Sequence, residues 1–593
     1  MSKNKYTTLK PVVKEAKPLT EVEHIKEKSN YLRGTIVESL ENDITGALYP
    51  DDQQLIKFHG TYQQFDRELE SERKKQKLEP LYSFLIRIRV PAGIVTPKQW
   101  LEIDLLTGKY GIGTIKLTTR QAFELHGVAK SNLRKTMQGI NDSLLDTLAA
   151  CGDVNRNVMA GAIPNITKAH ASMTEVANAI HVHLTPKTKA YHEIWLNNEI
   201  IGGGEPDFEP IYGKTYLPRK FKIALAIPPI NDTDVFANDV GLIGIVESGK
   251  LVGFNITAGG GMGMTFGMAD THPRLGDVLG FVPIDKVVDV VEKIVLIQRD
   301  NGGRTNRKYS RLKYTIERMG VEAFKAELTK RLGYTLELES PYKFTQSGDQ
   351  FGWHKGEDGN WHYTMFVEGG RVKDSDKYKL REGLREIAHI HKGVFILTGN
   401  QNLVISNISE KEKKNIEQLL TQYGIAQKQQ ISGLRKNSMA CVALNLCPLA
   451  FSEAERYLPN FIDKADQLLA KHGLENENIN IRMTGCPNGC ARPFLAEIGL
   501  VGRAPGRYNM YLGASHSGNR LNTLYRDMMN EQEILDTLNL LFEEYARDRR
   551  SGESFGDFVI RNKVVPEMTD SQLFQKVKGL SDQQTANSSN FQI

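Results

Sequence analysis

Cysteine is scarce in this chain of 593 residues, with five in all. So few thiols, odd in number, argue against a disulfide framework and for metal binding or catalysis. Long apolar runs are missing too: no stretch of about 18 apolar residues occurs, so no membrane span is expected. The opening MSKNKYTTLKPVVKEAKPL has no apolar core, so no secretory signal is expected and a cytoplasmic location is predicted. Charge of one sign is in small excess, 76 Lys and Arg against 71 Asp and Glu. A net charge of +5 gives no footprint for a nucleic-acid partner. A dinucleotide fingerprint is absent as well. The run Gly259-Gly260-Gly261-Met262-Gly263 lacks the third glycine of that motif, and no Walker lysine follows it. What remains is an ordinary globular composition, 40% hydrophobic and 25% charged, in a chain too long for one core.

What the chain does have is an internal duplication. LTTRQ at 117–121 is echoed by LTGNQ at 397–401, each closing an alternating apolar strand. Thirty-six residues after Gln121 comes Asn157-Val158-Met159-Ala160; thirty-six after Gln401 comes Asn437-Ser438-Met439-Ala440. Then Asp239–Gly244 (DVGLIG) is matched by Glu497–Gly502 (EIGLVG), followed by Phe254-Asn255 and Tyr508-Asn509. Strands alternating with helices in both halves predict an α+β fold with mixed sheets, packed about a pseudo-twofold axis. A cleft between such halves suits a large cofactor. The expected divisions are an N-terminal arm and docking segment (1–80), a first half domain (81–165) with its cofactor-binding domain (166–344), a second half domain (345–430) with its own (431–565), and a flexible tail (566–593). The charged run Asp66–Lys77 reads equally well as a solvated helix or as part of a docking surface.

Four of the five cysteines form one constellation, Cys441-x5-Cys447 and Cys486-x3-Cys490, with 38 residues between the pairs. Thiolates gathered in this way select zinc or iron–sulfur clusters. Structural zinc favours shorter knuckles than x5, whereas a four-iron cluster tolerates varied spacing, so the cluster is the preferred reading. Zinc or buried free thiols are the alternatives. Glycines in Thr484-Gly485-Cys486-Pro487-Asn488-Gly489-Cys490 allow backbone N–H groups to approach sulfide. A helix is predicted between the pairs, starting at Pro459 and stopping at Gly473, with Phe461, Ile462, Ala465, Leu468 and Leu469 on its buried face. Cys151 is left over and reads as a small buried hydrophobe.

This cysteine pattern resembles the signature of the siroheme sulfite and nitrite reductases. Asn437–Cys441, Cys447-Pro-Leu-Ala, Glu453–Pro459, Tyr31-Leu-Arg-Gly-Thr-Ile, Phe58–Gln64, Asn155-Arg-Asn-Val and Tyr216–Lys222 resemble the hemoprotein branch that works on sulfite with NADPH. The resemblance runs from about residue 25 to about 565. It implies two repeats around one siroheme, with a [4Fe-4S] cluster held by Cys441, Cys447, Cys486 and Cys490. Cys490 would bridge the cluster to the siroheme iron, with Asn488 beside the cofactor. By the same resemblance, Arg87, Arg156, Lys220 and Lys222 are the substrate-binding cations. Lys116, Arg120, Arg219 and Arg304 are expected to meet the siroheme carboxylates. Lys116 departs from the arginine typical of relatives and loses the bidentate fork. Ala491 stands where a glycine is common. The glycine run at 259–263 is then expected to form a wall beside the siroheme.

The chemistry sets its own demands. Sulfite is a small anion and siroheme a polycarboxylate, so a site holding both must be cationic. Strand alternation through Leu217–Lys222 would put Lys220 and Lys222 on one face, roughly 7 Å apart, and Arg219 on the other. By itself such a pair more often marks a solvated sheet surface; the resemblance reverses that reading. Six electrons are needed to turn sulfite into sulfide, and side chains store none. With no nucleotide fingerprint, the electrons are expected from an NADPH-dependent flavoprotein subunit, or alternatively from ferredoxin. The rival functions are a ferredoxin-dependent nitrite reductase and a non-catalytic iron–sulfur or zinc protein that binds nucleic acid.

Overall fold

The computed structural model describes residues 18–162, 166–188, 194–196, 199–202, 208–376 and 378–577. At its centre two five-stranded sheets exchange a strand. One sheet orders Thr61–Phe65, Tyr82–Ile88, Phe123–Val128, Ile115–Leu117 and Arg371–Val372; the other orders Gly352–Lys355, Trp361–Met365, Leu403–Ile408, Val394–Leu397 and Ile94–Val95. The last strand of each comes from the opposite half: Arg371 pairs with Lys116, and Ile94 with Ile396.

Two matching turns make this exchange. Ala92 and Gly93 have φ of 50° and 76°, and Gly369 and Gly370 have 57° and 65°. A Cβ on Gly93 would lie 2.3 Å from the carbonyl oxygen of Leu397, and one on Gly370 would lie 2.4 Å from that of Leu117. Glycine is therefore required at both points. Leu117 and Leu397 open the echoed pentapeptides, so the duplication read from sequence is a reciprocal contact between the halves. At the same junction Trp100, on the capped helix Pro97–Tyr110, stacks on Phe395 at 4.9 Å.

A second pair of sheets carries the later echoes. Ile223–Ala226, Val240–Glu247, Lys250–Ala258 and Asp277–Pro283 lie in the first half. Ile481–Thr484, Ile498–Ala504, Arg507–Leu512 and Thr523–Met529 lie in the second, with Ser438–Ala440 added at the edge. In both, the first two of these strands are parallel, with Ile223 opposite Val240 and Ile481 opposite Ile498. Val240 and Ile498 are equivalent in the echoed motif, so Lys222 and Asn480 occupy the same station. The helix between the cysteine pairs runs Leu458–Lys471 and buries Phe461, Ile462, Ala465 and Leu469 as its periodicity predicts.

Three expectations change. Residues 18–65 contribute to the core, whereas 66–80 stay at the surface: Lys26 on the helix Glu21–Lys28 is buried, pairs with Glu23 at 2.6 Å and donates to Leu217 O at 2.9 Å. Thr61–Phe65 is a strand of the first sheet. The run Asp66–Lys77 is helical only over Glu70–Lys75. At the other end Phe574 is buried, so part of the expected tail is packed. Residues 1–17 and 578–593 lie outside the described residues. Among the described residues no helix is long and apolar enough to cross a membrane.

Candidate active site

Two parallel strands deliver the cysteines. Ser438–Ala440 and Ile481–Thr484 are neighbours, with Ala440 opposite Met483, so Cys441 and Cys486 leave the same sheet edge close together. The Cys441 amide donates to Met483 O at 3.2 Å, and the Gly485 amide donates to Cys441 Sγ at 3.4 Å. A side chain at 485 is excluded, because a Cβ there would lie 2.6 Å from Ser452 O and 2.8 Å from the Ala443 methyl. Asn488 Nδ2 donates to Cys486 Sγ at 3.4 Å. Arg67 clasps the loop after Cys447, donating to Cys447 O at 3.2 Å and to Ala450 O at 2.6 Å.

The thiols are electrostatic neighbours. Burial raises Cys441 well above the usual thiol range, with Cys490, Cys486 and Cys447 adding to it. Burial first, then Cys490, pushes Cys486 up to about 12 and also raises Cys447. Cys490 acts on each of the other three thiols, so the four form one electrostatic group. Thiolates crowded like this repel one another, so they need a multiply charged cation to ionise together, as metal ligation requires. Among the described residues no three His, Cys, Asp or Glu side chains are gathered closely enough to grip a single metal ion.

Cys490 also faces a cavity between the first half's second sheet and the cysteine loop. Five cations line it, Arg120, Lys220, Lys222, Arg311 and Arg492, and no carboxylate does. Burial, with Arg219 and Arg311 alongside, pushes Lys220 down to about 7. Burial and the adjacent Lys220 hold Lys222 well below the usual ammonium range. Burial likewise lowers Arg120 to about 9, with Asp239 opposing and Arg492 adding to the effect. Buried cations held at such cost fit a polyanionic occupant. Met262 and Gly263 form one wall. Just before it, a Cβ on Gly260 would lie 2.1 Å from Phe236 O, so the run is glycine-rich because backbone passes against it.

Comparison with known proteins decides the family. The model of the nitrite and sulphite reductase 4Fe-4S domain matches residues 175–336, and that of the nitrite/sulfite reductase ferredoxin-like half domain matches 76–143 and 354–423. The chain is 55% identical over 560 residues to a sulfite reductase (NADPH) hemoprotein beta-component of Geobacillus kaustophilus, covering 94% of this chain and 98% of that one. It is 53% identical over 557 residues to the protein of the same name from Staphylococcus saprophyticus, again covering 94% and 98%. This chain belongs to the nitrite and sulfite reductase family. The Mycobacterium tuberculosis NirA protein shares the fold, with a TM-score of 0.72 at 23% identity over 92% of this chain and 96% of that one. The stretch matched as the 4Fe-4S domain of the family lies in the first half, whereas the four clustered cysteines lie in the second.

The residues expected from the family resemblance divide by location. Arg120, Lys220, Lys222, Asn488 and Cys490 line the cavity. The regular strand begins only at Ile223, and Lys220 and Lys222 flank the single bridge between Phe221 and Asn155, which serves the purpose expected of strand alternation. Arg156 lies behind the cavity wall, donating to Gly152 O at 3.0 Å and Ala150 O at 3.3 Å. Arg87 is held away from the cavity by Glu124, with Nε to Oε1 at 2.8 Å, and by Cys151 Sγ at 3.0 Å.

Three of the expected carboxylate contacts point elsewhere. Lys116 is fully buried between the halves, paired with Glu455 at 2.7 Å and with Gly369 O, where Arg371 of the exchanged strand meets the same carboxylate. Arg304 pairs with Glu23 at 2.5 Å and donates to Tyr216 O at 2.7 Å. Arg219 has Asp153 at 4.0 Å and does not line the cavity. Each stands beside a buried acid distant in sequence. Two lining cations went unanticipated. Arg311 is aimed by Asp239, the first residue of the echoed DVGLIG, with Nη2 to Oδ2 at 2.7 Å. Arg492 follows the last cysteine by two residues and is held by Asp234 at 2.5 Å and by Asn400 Oδ1 at 3.0 Å.

Proposed function

We propose that this chain is the hemoprotein subunit of an assimilatory sulfite reductase, reducing sulfite to sulfide with six electrons. One observation carries the reading: a cavity lined by five cations and no carboxylate opens directly onto Cys490, one of the four gathered thiols. In that site Cys441, Cys447, Cys486 and Cys490 hold a [4Fe-4S] cluster. Siroheme would be held in the cationic cavity beside Cys490. Arg120, Arg311 and Asn488 meet its periphery. When bound, the two groups would supply the electrons that the side chains cannot store, one at a time.

The protein's own residues then handle charge and protons. Lys220 and Lys222 bind the anion and donate protons to the oxygens that leave as water. A compact ammonium in a desolvated site gives up its proton readily. Arg156 adds positive potential from behind the wall. Arg87 joins the substrate only by leaving Glu124, an exchange of one carboxylate for another anion. Electrons come from a separate NADPH-oxidising flavoprotein, since the chain carries no dinucleotide fingerprint. The test is turnover of the purified chain with reduced methyl viologen. Sulfite should be reduced to sulfide in preference to nitrite at equal concentration, with no reaction from NADPH alone. Preference for nitrite would move the chain to the other branch of the family.

A further inference from the structure

The last described stretch of the chain packs behind the cavity, reaching it through Phe494 and the turn at 265–271. Its start is fixed where Thr523 Oγ1 donates to Pro566 O at 2.8 Å. Phe574, 1% exposed, meets Phe494 edge-on at 5.2 Å and stacks on Tyr511 at 5.6 Å. Phe494 in turn borders Gly489: a Cβ there would lie 3.3 Å from the Phe494 ring and 3.2 Å from Met262 O. Gly489 precedes Cys490, and both line the cavity.

A second line of contact starts one residue later. The Gln575 side chain donates through Nε2 to Met268 O at 2.8 Å, to Thr265 O at 3.2 Å and to Thr271 O. Thr271 Oγ1 closes the same turn by accepting from the Thr265 amide at 2.8 Å. That turn continues directly from the cavity wall at Met262 and Gly263. The wall is tied to the cysteine loop where the Met264 amide donates to Pro487 O at 3.0 Å. Met262, Met264, Phe494, Tyr511 and Phe574 share one apolar cluster.

We infer that residues 566–577 form a latch, with Phe574 and Gln575 as positioning residues of the cofactor cavity. They hold the Met262–Gly263 wall against the Cys486–Cys490 loop and so set how firmly the prosthetic group is retained. The inference rests on reading the cavity as the siroheme site. Neither residue touches the reacting atoms. The wall and the cysteine loop are irregular backbone joined by the Met264–Pro487 hydrogen bond, and backbone of this kind opens at lower free energy than the sheets behind it. A latch that opposes opening slows release of what lies beneath it.

The experiment compares the full-length holoenzyme with Gln575→Ala, Phe574→Ala and Phe574→Leu. Loss of the siroheme absorption band is followed at a temperature well below unfolding. Gln575→Ala should release siroheme about tenfold faster, as expected for losing one buried donor shared among carbonyls. Its unfolding midpoint by circular dichroism should barely move. Phe574→Ala should release faster still, and Phe574→Leu should recover most of the wild-type rate. Amide hydrogen exchange across residues 262–271 should speed up in the same order. Release at the wild-type rate in both alanine variants would overturn the latch. So would acceleration that merely tracks a fallen unfolding midpoint. If the wild type carries no siroheme, the functional reading fails, and hydrogen exchange alone decides the latch: unchanged exchange at 262–271 in Gln575→Ala rejects it.

Discussion

The two halves of the molecule share a scaffold and differ at a few stations. A second cavity opens in the second half, lined by Asp349, Asn400, Asn437, Asn480, Lys436 and Arg482 among others. Asn400 stands where the first half has Arg120, and Asn480 where it has Lys222. Asp349, a buried carboxylate accepting from Thr398 at 2.6 Å and Asn400 at 2.9 Å, has no counterpart lining the first cavity. Equivalent backbone therefore yields a cavity with five cations and no acid on one side, and on the other an amide-lined one where Asp349 stands with Lys436 and Arg482. The thiols follow the opposite rule, leaving the second half's strands and none of the first's. Fold alone does not choose the cofactor; the side chains at these stations do, and the site needs both halves.

The sharpest way to break this comparison is through the thiols. Cys447→Ser or Cys490→Ser should abolish the cluster and sulfite turnover together, read by iron and acid-labile sulfide analysis. Cys151→Ser, in the first half, should retain both. Full iron and sulfide in Cys447→Ser would refute the ligand set. Next come the cations. Lys220→Met or Lys222→Met should lower turnover about 10²-fold with both cofactors still loaded, as for other lost transition-state charges. Asn480→Met, at the matching station, should leave turnover intact. Equal losses from both sides would dissolve the distinction.

A smaller effect is expected at Asp232, between the halves. Its carboxylate accepts from the Ala162 amide at 3.0 Å and its backbone oxygen accepts from Asn400 at 2.9 Å. Burial, with Asp349 and Asp234 nearby, pushes it from 3.8 up to about 7. The folded protein then keeps a proton that the unfolded chain loses above pH 4, so stability falls as pH rises between about 4 and 7. Asp232→Asn keeps the acceptor and removes that dependence. Its melting temperature should exceed the wild type's by a margin that grows from pH 5 to pH 8. A constant margin would mean that Asp232 is ionised throughout.

What the sequence showed and hid follows from range. The cysteines and the echoed pentapeptides are local patterns, and Lys220 and Lys222 are two residues apart, so their convergence was legible. Lys116, Arg219 and Arg304 stand beside Glu455, Asp153 and Glu23, acids far away in sequence, and nothing local tells a cation beside a buried acid from one facing a ligand. Arg311 was missed for the related reason that Asp239, 72 residues earlier, aims it. The polar composition after Glu567 concealed a single buried ring, Phe574. The charged start suggested a separate arm, although Lys26 and Glu23 are buried beneath it.

The most direct test is a visible spectrum of the purified chain combined with iron, zinc and acid-labile sulfide analysis. The account predicts a siroheme band, the iron and sulfide of one four-iron cluster, and a spectral change when sulfite is added. Loss of that sulfite response in the fully loaded Lys220→Met, Lys222→Met double variant should follow. A protein with zinc in place of iron, or an iron–sulfur protein with no siroheme band, would contradict the account.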